Sequence, residues 1–175
     1  WSNDNSKVIS VTSNKVYVWD ILSGSLISSI RSKGGFKSVN FSSDNQFIVL
    51  VDRDTRIRVY DIQGNLKYTK IHLGEGDWIA YDTHYRYDGS PNGIKELYFV
   101  CDLEVIELEQ LKDQLYIPGL VERLMKGDEL NGIPKIEDIS ICGITPLIER
   151  INTEDKDYHF SILPRNGGLG KVEVF

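Results

Sequence analysis

The chain has 175 residues, a length that suits one domain or one domain with an appendage. Its hydrophobic content of 41% is ordinary for a water-soluble protein, and no apolar run approaches the roughly 18 residues of a membrane span. The net charge of −6, with scattered basic residues, argues against a nucleic-acid partner, because binding to phosphates needs clustered Lys and Arg. We therefore predict that neither nucleic acid nor membrane is a partner.

The chain starts at Trp1 without a targeting signal, which indicates a piece of a longer protein and favours a cytoplasmic location. Cys101 and Cys142 are 41 positions apart and neither belongs to a CxxC pair. This spacing is typical of neither a disulfide framework nor a zinc knuckle. Both are predicted to be free, small, buried apolar residues in a reducing compartment, with a disulfide between them as the alternative.

The first 75 residues are predicted to form short strands separated by turns, and two segments match each other. VYVWDILSGSLISSI begins at Val16, and IRVYDIQGNLKYTKI begins at Ile57. Their aromatic-Asp pairs are 41 positions apart (60 minus 19), within the period of about 40 to 45 that marks a propeller blade. In each copy the Asp is expected to accept backbone N–H bonds in the turn that follows.

The segment FKSVNFSSDNQFIVLVDRDTRIRVYD, residues 36 to 61, joins the two copies and resembles a WD-repeat β-propeller blade. The likeness covers roughly residues 6 to 75, although Lys33-Gly34-Gly35 replaces the usual Gly-His. A ring needs about four to eight blades, so further blades are expected from upstream in the parent chain or, as the alternative, from other copies. The residues that carry the repeat signature are Trp19, Asp20, Asp54, Tyr60 and Asp61.

After the second copy comes GDWIAYDTHYRYDGSPNG, residues 76 to 93. Asp77 to Asp82 is predicted to be the inner strand of another blade, and DGSPNG a turn. IKELYFV and EVIEL are predicted to complete that blade, which has lost the aromatic-Asp signature. Terminal repeats are often atypical, so we interpret this as a modified terminal blade and end the propeller region, residues 1–107, here.

The next segment, residues 108–130, is predicted to be a helical linker. Its apolar residues fall at helical spacing, and core packing against the propeller is the favoured interpretation, with a partner-binding groove as the alternative. Pro118 suits the first turn of the second helix, and Gly127 its C-cap. The apolar positions are Leu108, Leu111 and Leu115 in the first helix and Leu120, Val121, Leu124 and Met125 in the second.

From residue 76 to residue 127 the chain is similar to the segment that follows the propeller in bacterial WD-repeat proteins that also carry a caspase-like peptidase domain. The resemblance implies that a Trp-rich motif closes the WD region, and that a helical linker, a small β-sandwich and the peptidase follow. The matching residues are Asp77, Trp78, Ala80, Tyr81, Tyr87, Asp88, Ser90, Pro91 and Gly93.

Residues 131–175 contain alternating apolar residues interrupted by Pro and Gly. Tyr158 to Leu163 and Lys171 to Phe175 are predicted to be strands around RNGGLG, and in the family that the chain resembles such strands open an immunoglobulin-like sandwich. The fold class predicted for the whole is therefore mainly β, a partial propeller of about two to three blades followed by a helical linker and a β-rich segment. Because the last strand ends with the chain, this segment is expected to be truncated.

No catalytic constellation is apparent. Both cysteines lie in apolar strand-like runs, the three His residues are scattered, and GGLGK lacks the residues of a phosphate-binding loop. We predict no enzyme activity, no metal and no cofactor for this chain, and a protein or peptide as its partner. The function predicted is an interaction scaffold that in the parent couples partner recognition to a caspase-like domain. The alternatives are part of a hydrolase completed by other segments and a purely structural spacer.

Overall fold

A computed structural model describes residues 1–32, 34–101, 104–142, 146–151 and 159–164 of the chain. The strands are β1 (Lys7–Val11), β2 (Lys15–Asp20), β3 (Leu26–Arg31), β4 (Phe36–Phe41), β5 (Phe47–Asp52), β6 (Ile57–Asp61), β7 (Leu66–Gly74), β8 (Asp77–Tyr81), β9 (Tyr87–Gly89), β10 (Tyr98–Cys101), β11 (Glu104–Glu107), β12 (Leu147–Ile151) and β13 (His159–Leu163). The helices are α1 (Pro91–Lys95), α2 (Lys112–Leu115) and α3 (Leu120–Lys126), with 3-10 turns at Leu108–Leu111 and Ile136–Asp138.

The first nine strands form two antiparallel sheets, each with its strands in chain order. One has the order β1-β2-β3, and the other runs from β4 to β9 without interruption. Several of the connections are tight turns in which glycine takes a positive φ, as at Gly24 (68°) and Gly64 (88°), whereas Thr55 and Tyr85 take it in others. The prediction of a mainly β fold built of blade-like antiparallel sheets is confirmed.

The two sheets pack on each other through apolar side chains that alternate along their strands. Val16, Val18 and Ile30 of the first sheet meet Ile48 and Leu50 of the second, and all five are essentially buried. Polar bonds also join the two sheets: the hydroxyl of Ser28 donates to the carbonyl oxygen of Ile62 at 2.7 Å, and Asn3, just before β1, donates to the turn between β4 and β5. The period-2 pattern of β2 and β5 therefore decides which faces come together.

A second repeat, not recognised in the sequence, precedes β1. Ser2, Asp4 and Asn5 form the same turn as Ser42, Asp44 and Asn45. In each turn the Ser hydroxyl bonds the Asp carboxylate, and the Asn has a positive φ, 57° in one and 59° in the other. The second turn joins β4 to β5, and these two strands pair. The first turn leads into β1 in the same way, but among the described strands none pairs with the outer edge of β1.

The region after β7 differs from the predicted terminal blade. Instead of opening a new sheet, β8 pairs with β7 and β9 with β8, so both extend the six-stranded sheet. The expected strand IKELYFV forms only in its last three residues: its first two residues end helix α1, and pairing with β11 begins at Tyr98. A tight link from Gly74 to Asp77 explains the difference, since it returns the chain beside β7.

Helix α3 covers the opposite face of the six-stranded sheet. Val121, Leu124 and Met125 pack against Phe47 and Tyr68, on the side away from β1-β2-β3. Leu120 is fully buried, and Gly127 ends the helix with a φ of 78°. The predicted packing of this apolar stripe and the predicted cap are confirmed.

The cysteine prediction is wrong. Cys101 and Cys142 form a disulfide with their Cα atoms 5.6 Å apart, and Cys142 is exposed rather than buried. The reason is tertiary: Ile136, Ile139 and Ile141 fold back onto the core beneath β10 and bring Cys142 to the end of that strand. The spacing of these isoleucines in the sequence did not indicate that Cys142 would reach Cys101.

The last described strands, β12 and β13, form an antiparallel hairpin. The predicted turn RNGGLG and the strand Lys171 to Phe175 lie outside the described residues. The domain boundaries after residues 107 and 130 stay predictions. Within the described ranges, no helix is both long and apolar enough to cross a membrane.

Candidate functional site

The repeat-signature residues serve the turns and the sheet interface. Asp20 accepts the backbone N–H of Ser23 at 2.8 Å, a bond that lowers the pKa of its carboxyl, and Asp61 accepts the backbone N–H of Asn65 at the same distance. Trp19 donates its indole N–H to Ser10, and Tyr60 is buried between the sheets. These contacts are structural ones.

In the turn that contains the signature residue Asp54, the aspartate that accepts the turn hydrogen bonds is Asp52, which was not among the predicted signature residues. Asp54 is exposed, whereas Asp52 is almost fully buried and accepts both the Arg56 backbone N–H at 2.9 Å and the Arg58 guanidinium at 2.7 Å. The signal available in the sequence was the alternation of β5, which places residue 52 on the same inward face as Leu50.

Five residues of the Trp-rich motif meet at one junction. The Ser90 hydroxyl donates to Asp77 at 2.8 Å and accepts the backbone N–H groups of Trp78 at 3.0 Å and Gly93 at 3.1 Å. Ser90 thereby caps α1, with Pro91 at its first position. Gly93 has no room for a side chain, since a Cβ there would lie 2.3 Å from the Trp78 carbonyl oxygen.

The rest of the motif fastens this junction to the helices. Tyr87 is buried and donates its hydroxyl proton to the Leu108 carbonyl oxygen at 2.6 Å, and burial raises the pKa of its phenol. Asp88 accepts the backbone N–H of Gly119 at 2.9 Å, at the start of α3. The motif residues therefore have structural roles, and two of them, Tyr81 and Tyr87, also line a cleft.

A buried ion pair lies close to this joint and was missed in the sequence. Arg86 contacts Asp82 through Nη2 at 2.6 Å and Nε at 2.7 Å, and its Nη1 donates to the Leu130 carbonyl oxygen at 3.1 Å. The spacing of four residues across a tight turn was its only sequence signal. A polar recess of about 590 Å³ is lined by Arg86, and each of the three guanidinium nitrogens already has a partner in Asp82 or Leu130.

The candidate binding site is an aromatic cleft of about 360 Å³ between the β7–β9 region and the β10 hairpin. Its size lies at the lower end of the range for ligand sites, roughly 300 to 1,000 Å³. Five of the ten lining side chains are aromatic. The lining residues are Arg56, Ile71, Ile79, Tyr81, Tyr85, Tyr87, Leu97, Tyr98, Phe99 and Leu108.

The rings of the cleft hold one another in place. Tyr85 stacks on Tyr81 with centroids 5.9 Å apart and planes 3° apart, and it meets Phe99 edge-on at the same distance. Tyr85 is nonetheless 48% exposed and Tyr98 58% exposed, so two phenol groups stand at the open rim. Rigid aromatic side chains with a polar tip bind partners at a small cost in conformational entropy.

The backbone at Tyr85 is in the left-handed region, with a φ of 59°. A bulky residue there is an outlier, since glycine or asparagine takes this conformation at much lower cost. Strain of this kind, on the order of 1 to 3 kcal/mol, concentrates at functional sites. The tyrosine ring is therefore placed at the rim of the cleft against the preference of the backbone.

Arg56 is the one charged residue that lines the cleft. The buried Asp52 of the same turn already pairs with Arg58, and within the described residues the Arg56 guanidinium has no ion-pair partner. Arg56 also lines an adjoining polar cleft together with Arg31, Arg58, Asp52 and Asp54. The site therefore combines an apolar aromatic floor with an unpaired positive charge at one side.

The Cys and His side chains, which were considered for catalysis, do not line the aromatic cleft. Both cysteine sulfurs are bonded to each other, and the His84 ring contacts Glu137 at 3.4 Å on the polar recess. In the part of the chain that the structure describes, no three His, Cys, Asp or Glu side chains are grouped so that they could hold a metal ion.

Comparison with known proteins assigns no family. No family model and no curated protein matches the sequence. Among solved structures, the C-terminal WD40 domain of Sif2 is similar, with 18% identity and a TM-score of 0.37. The match covers 52% of this chain and 30% of that one, so the chain spans less than a third of the domain it resembles.

Proposed function

We propose that this chain is a non-catalytic protein-interaction scaffold and that its aromatic cleft holds the partner. The observation that carries the proposal is Tyr85, an exposed aromatic residue kept in a left-handed backbone conformation at the rim of a preformed cleft. Exposed aromatic and Arg side chains dominate the energetics of protein interfaces. The stacked rings are already ordered, which reduces the entropy lost on binding.

Tyr85→Gly separates binding from folding. Glycine relieves the strain at a positive φ but removes the stacked ring, so we expect a nearly unchanged melting temperature. Display of a random-peptide library on the immobilised wild-type chain should enrich peptides that Tyr85→Gly fails to retain. Phe160→Ala, which removes an exposed ring on β13, is the control and should retain them. Equal enrichment on wild type and Tyr85→Gly, or no enrichment at all, contradicts the proposal.

The finer proposal is that the chain is the WD-repeat part of a longer protein and couples partner recognition to a caspase-like peptidase domain. It is supported by the repeat signature and by the resemblance of the Trp-rich motif. The reading frame around Trp1 and Phe175 tests it. Upstream WD-type repeats and a downstream peptidase with its His and Cys are expected, and their absence contradicts it.

The hydrolase alternative has its own test. The purified chain is incubated with fluorogenic peptide substrates, with and without calcium, beside a Cys101→Ala, Cys142→Ala variant. The scaffold proposal expects no cleavage by either protein. Cleavage that disappears in the double variant favours a hydrolase instead.

A cytoplasmic location is proposed from the sequence, whereas a persistent disulfide is more typical of oxidising compartments. The redox state of Cys101 and Cys142 in cells distinguishes a reducing from an oxidising compartment. Trapping with a thiol-specific alkylating reagent in intact cells should label both cysteines if the protein resides in a reducing cytoplasm. Protection of both from the reagent until a reductant is added contradicts that location.

A further inference from the structure

The chemistry of the aromatic cleft restricts what binds there. Apart from the Arg56 guanidinium, the polar side-chain groups among its lining residues are phenol hydroxyls. A sugar would leave hydroxyls without partners, since no Asp, Glu, Asn or Gln lines the cleft. A single-stranded nucleic acid would stack on the rings but needs a basic track for its phosphates, and one Arg on a chain of net charge −6 does not supply it.

A strand-like peptide is the competing ligand, because addition of a β-strand requires an open sheet edge. At the β9 side of the cleft that edge is closed, since Tyr87 pairs with Tyr116 and the backbone N–H of Ile117 donates to the Tyr87 carbonyl oxygen at 2.8 Å. Among the described strands β10 pairs with β11 alone, so its other edge is open. A ligand that brings its own backbone conformation suits the closed side, and binding that survives replacement of every Pro by Ala would favour strand addition at β10 and overturn the inference.

A polyproline II segment meets these conditions. Proline rings pack on aromatic grooves, and the backbone carbonyls of such a segment project outward, where hydroxyl groups at the rim donate to them. Tyr85 and Tyr98 present exposed phenols at the rim, beside the edge-on pair of Tyr85 and Phe99. The volume of about 360 Å³ accommodates a few residues rather than a folded surface.

The positive charge of Arg56 favours a ligand that carries a carboxylate. Its guanidinium has no ion-pair partner among the described residues. The adjoining cleft carries Arg31 and Arg58 beside Asp52 and Asp54, and Asp52 is already paired with Arg58. A carboxylate next to the proline residues would pair with it, whereas a Lys or Arg there would be repelled. We infer that the aromatic cleft binds a short proline-containing acidic peptide in the polyproline II conformation, with its prolines on Tyr85 and Tyr98 and its carboxylate on Arg56.

This inference rests on the proposed function and narrows it to one class of partner. The probe is the blocked peptide acetyl-Glu-Pro-Pro-Leu-Pro-Pro-amide, titrated into ¹⁵N-labelled protein. Three comparison peptides carry Gln for Glu, Lys for Glu, or Ala for every Pro. We expect amide shifts at Tyr81, Tyr85 and Phe99, and weaker binding of all three comparison peptides.

The protein variants locate the charge contact. Arg56→Gln should weaken the binding of the Glu peptide about ten-fold, which corresponds to the loss of one charge-assisted hydrogen bond. The affinity for the Gln peptide should change by less than about a factor of two. Arg53→Gln removes a neighbouring exposed Arg that does not line the cleft and should change neither. Equal loss of both peptides in Arg56→Gln, or equal binding of the Lys and Glu peptides, overturns the inference.

Failure of the inference is distinguishable from failure of the proposed function. Peptides enriched by display that depend on Tyr85 but lack proline and acidic residues overturn only the inference. A library that yields no Tyr85-dependent peptide overturns both. Binding of an oligothymidylate at the cleft, measured by the same amide shifts, overturns the inference in favour of nucleic acid.

Discussion

The hydroxyl of Ser90 lies 2.8 Å from the carboxylate of Asp77, and this bond joins the first residue of β8 to the cap of α1. The same hydroxyl accepts two backbone N–H groups, from Trp78 and Gly93. One side chain therefore serves three groups that would otherwise lack a partner at the end of the six-stranded sheet. The architecture of the cleft depends on this joint, because β8 and β9 form one of its walls.

Replacing Ser90 by Ala should destabilise the protein by about 1 to 3 kcal/mol, since the cap is lost and backbone donors are left unpaired. The measurement is urea unfolding followed by tyrosine and tryptophan fluorescence. Ser29→Ala is the matched control, because Ser29 is exposed on β3. Its change should stay within about 0.5 kcal/mol. Equal effects of the two variants would show that the Ser90 bonds contribute nothing.

Gly93→Ala should destabilise the protein through a clash with the backbone of β8. The added Cβ would lie 2.3 Å from the Trp78 carbonyl oxygen, a backbone atom that moves only with β8. We expect a loss of at least about 1 to 3 kcal/mol in the free energy of unfolding. Gly34→Ala is the control, since nothing lies within 4 Å of a Cβ there and its φ is negative or extended. A Gly93→Ala protein as stable as Gly34→Ala is incompatible with this packing.

Asp82→Asn should cost about 3 to 5 kcal/mol of stability, because it leaves the buried Arg86 guanidinium without a counter-charge. The exposed pair of Glu122 and Lys126 provides the contrast. Glu122→Gln should change the free energy of unfolding by less than about 1 kcal/mol. Thermal and urea unfolding of both variants decide the matter, and a small effect at Asp82 would contradict the buried pairing.

Reduction of the disulfide should destabilise the protein strongly. For a separation of 41 residues the chain-entropy relation predicts a loss of about 4 kcal/mol. Urea unfolding with and without a reductant measures it. A Cys101→Ala, Cys142→Ser variant is the control and should be insensitive to the reductant. If the wild type also shows no response, the bond does not form in solution.

Stability should fall in acid through the two repeated turns. The Ser2 hydroxyl and the Ser6 backbone N–H lower the pKa of Asp4 to about 2, and the Ser42 hydroxyl lowers the pKa of Asp44. Because the folded-state pKa values lie below the unfolded value of 3.8, this stabilisation is complete above that pH and is lost as the pH falls toward 2.

The pH dependence is tested with Asp4→Asn, Asp44→Asn, for which urea midpoints between pH 5 and pH 2 should decline less steeply than in the wild type. Asp113→Asn serves as the control, since Asp113 is exposed on α2 and should leave the wild-type slope unchanged. A double variant with an unaltered slope would exclude these two turns as the acid-sensitive elements.

Much of the local structure was predictable because it depends on neighbours in the chain. Strand alternation, the turns after Trp19-Asp20 and Tyr60-Asp61, the apolar stripe of α3 and the Gly127 cap all follow from spacings of a few residues. The Asp20 and Asp61 bonds could be foreseen for the same reason, since each acceptor and its donor lie within four residues. The predicted family marker residues have structural contacts, while their role as markers stays a prediction.

The tertiary structure decided everything that depends on contacts between distant segments. β8 could have opened a new sheet or extended the old one with the same alternation, and only the return at Gly74 to Asp77 selects β7 as its partner. Cys142 reaches Cys101 because three half-buried isoleucines pack against the core cluster that contains Cys101, a contact that depends on the tertiary packing and not on the spacing in the sequence. The cleft likewise brings Arg56 beside aromatic rings from residues 81 to 99, which are distant in the sequence. The sequence supplies these side chains, but only the fold places them around one cleft.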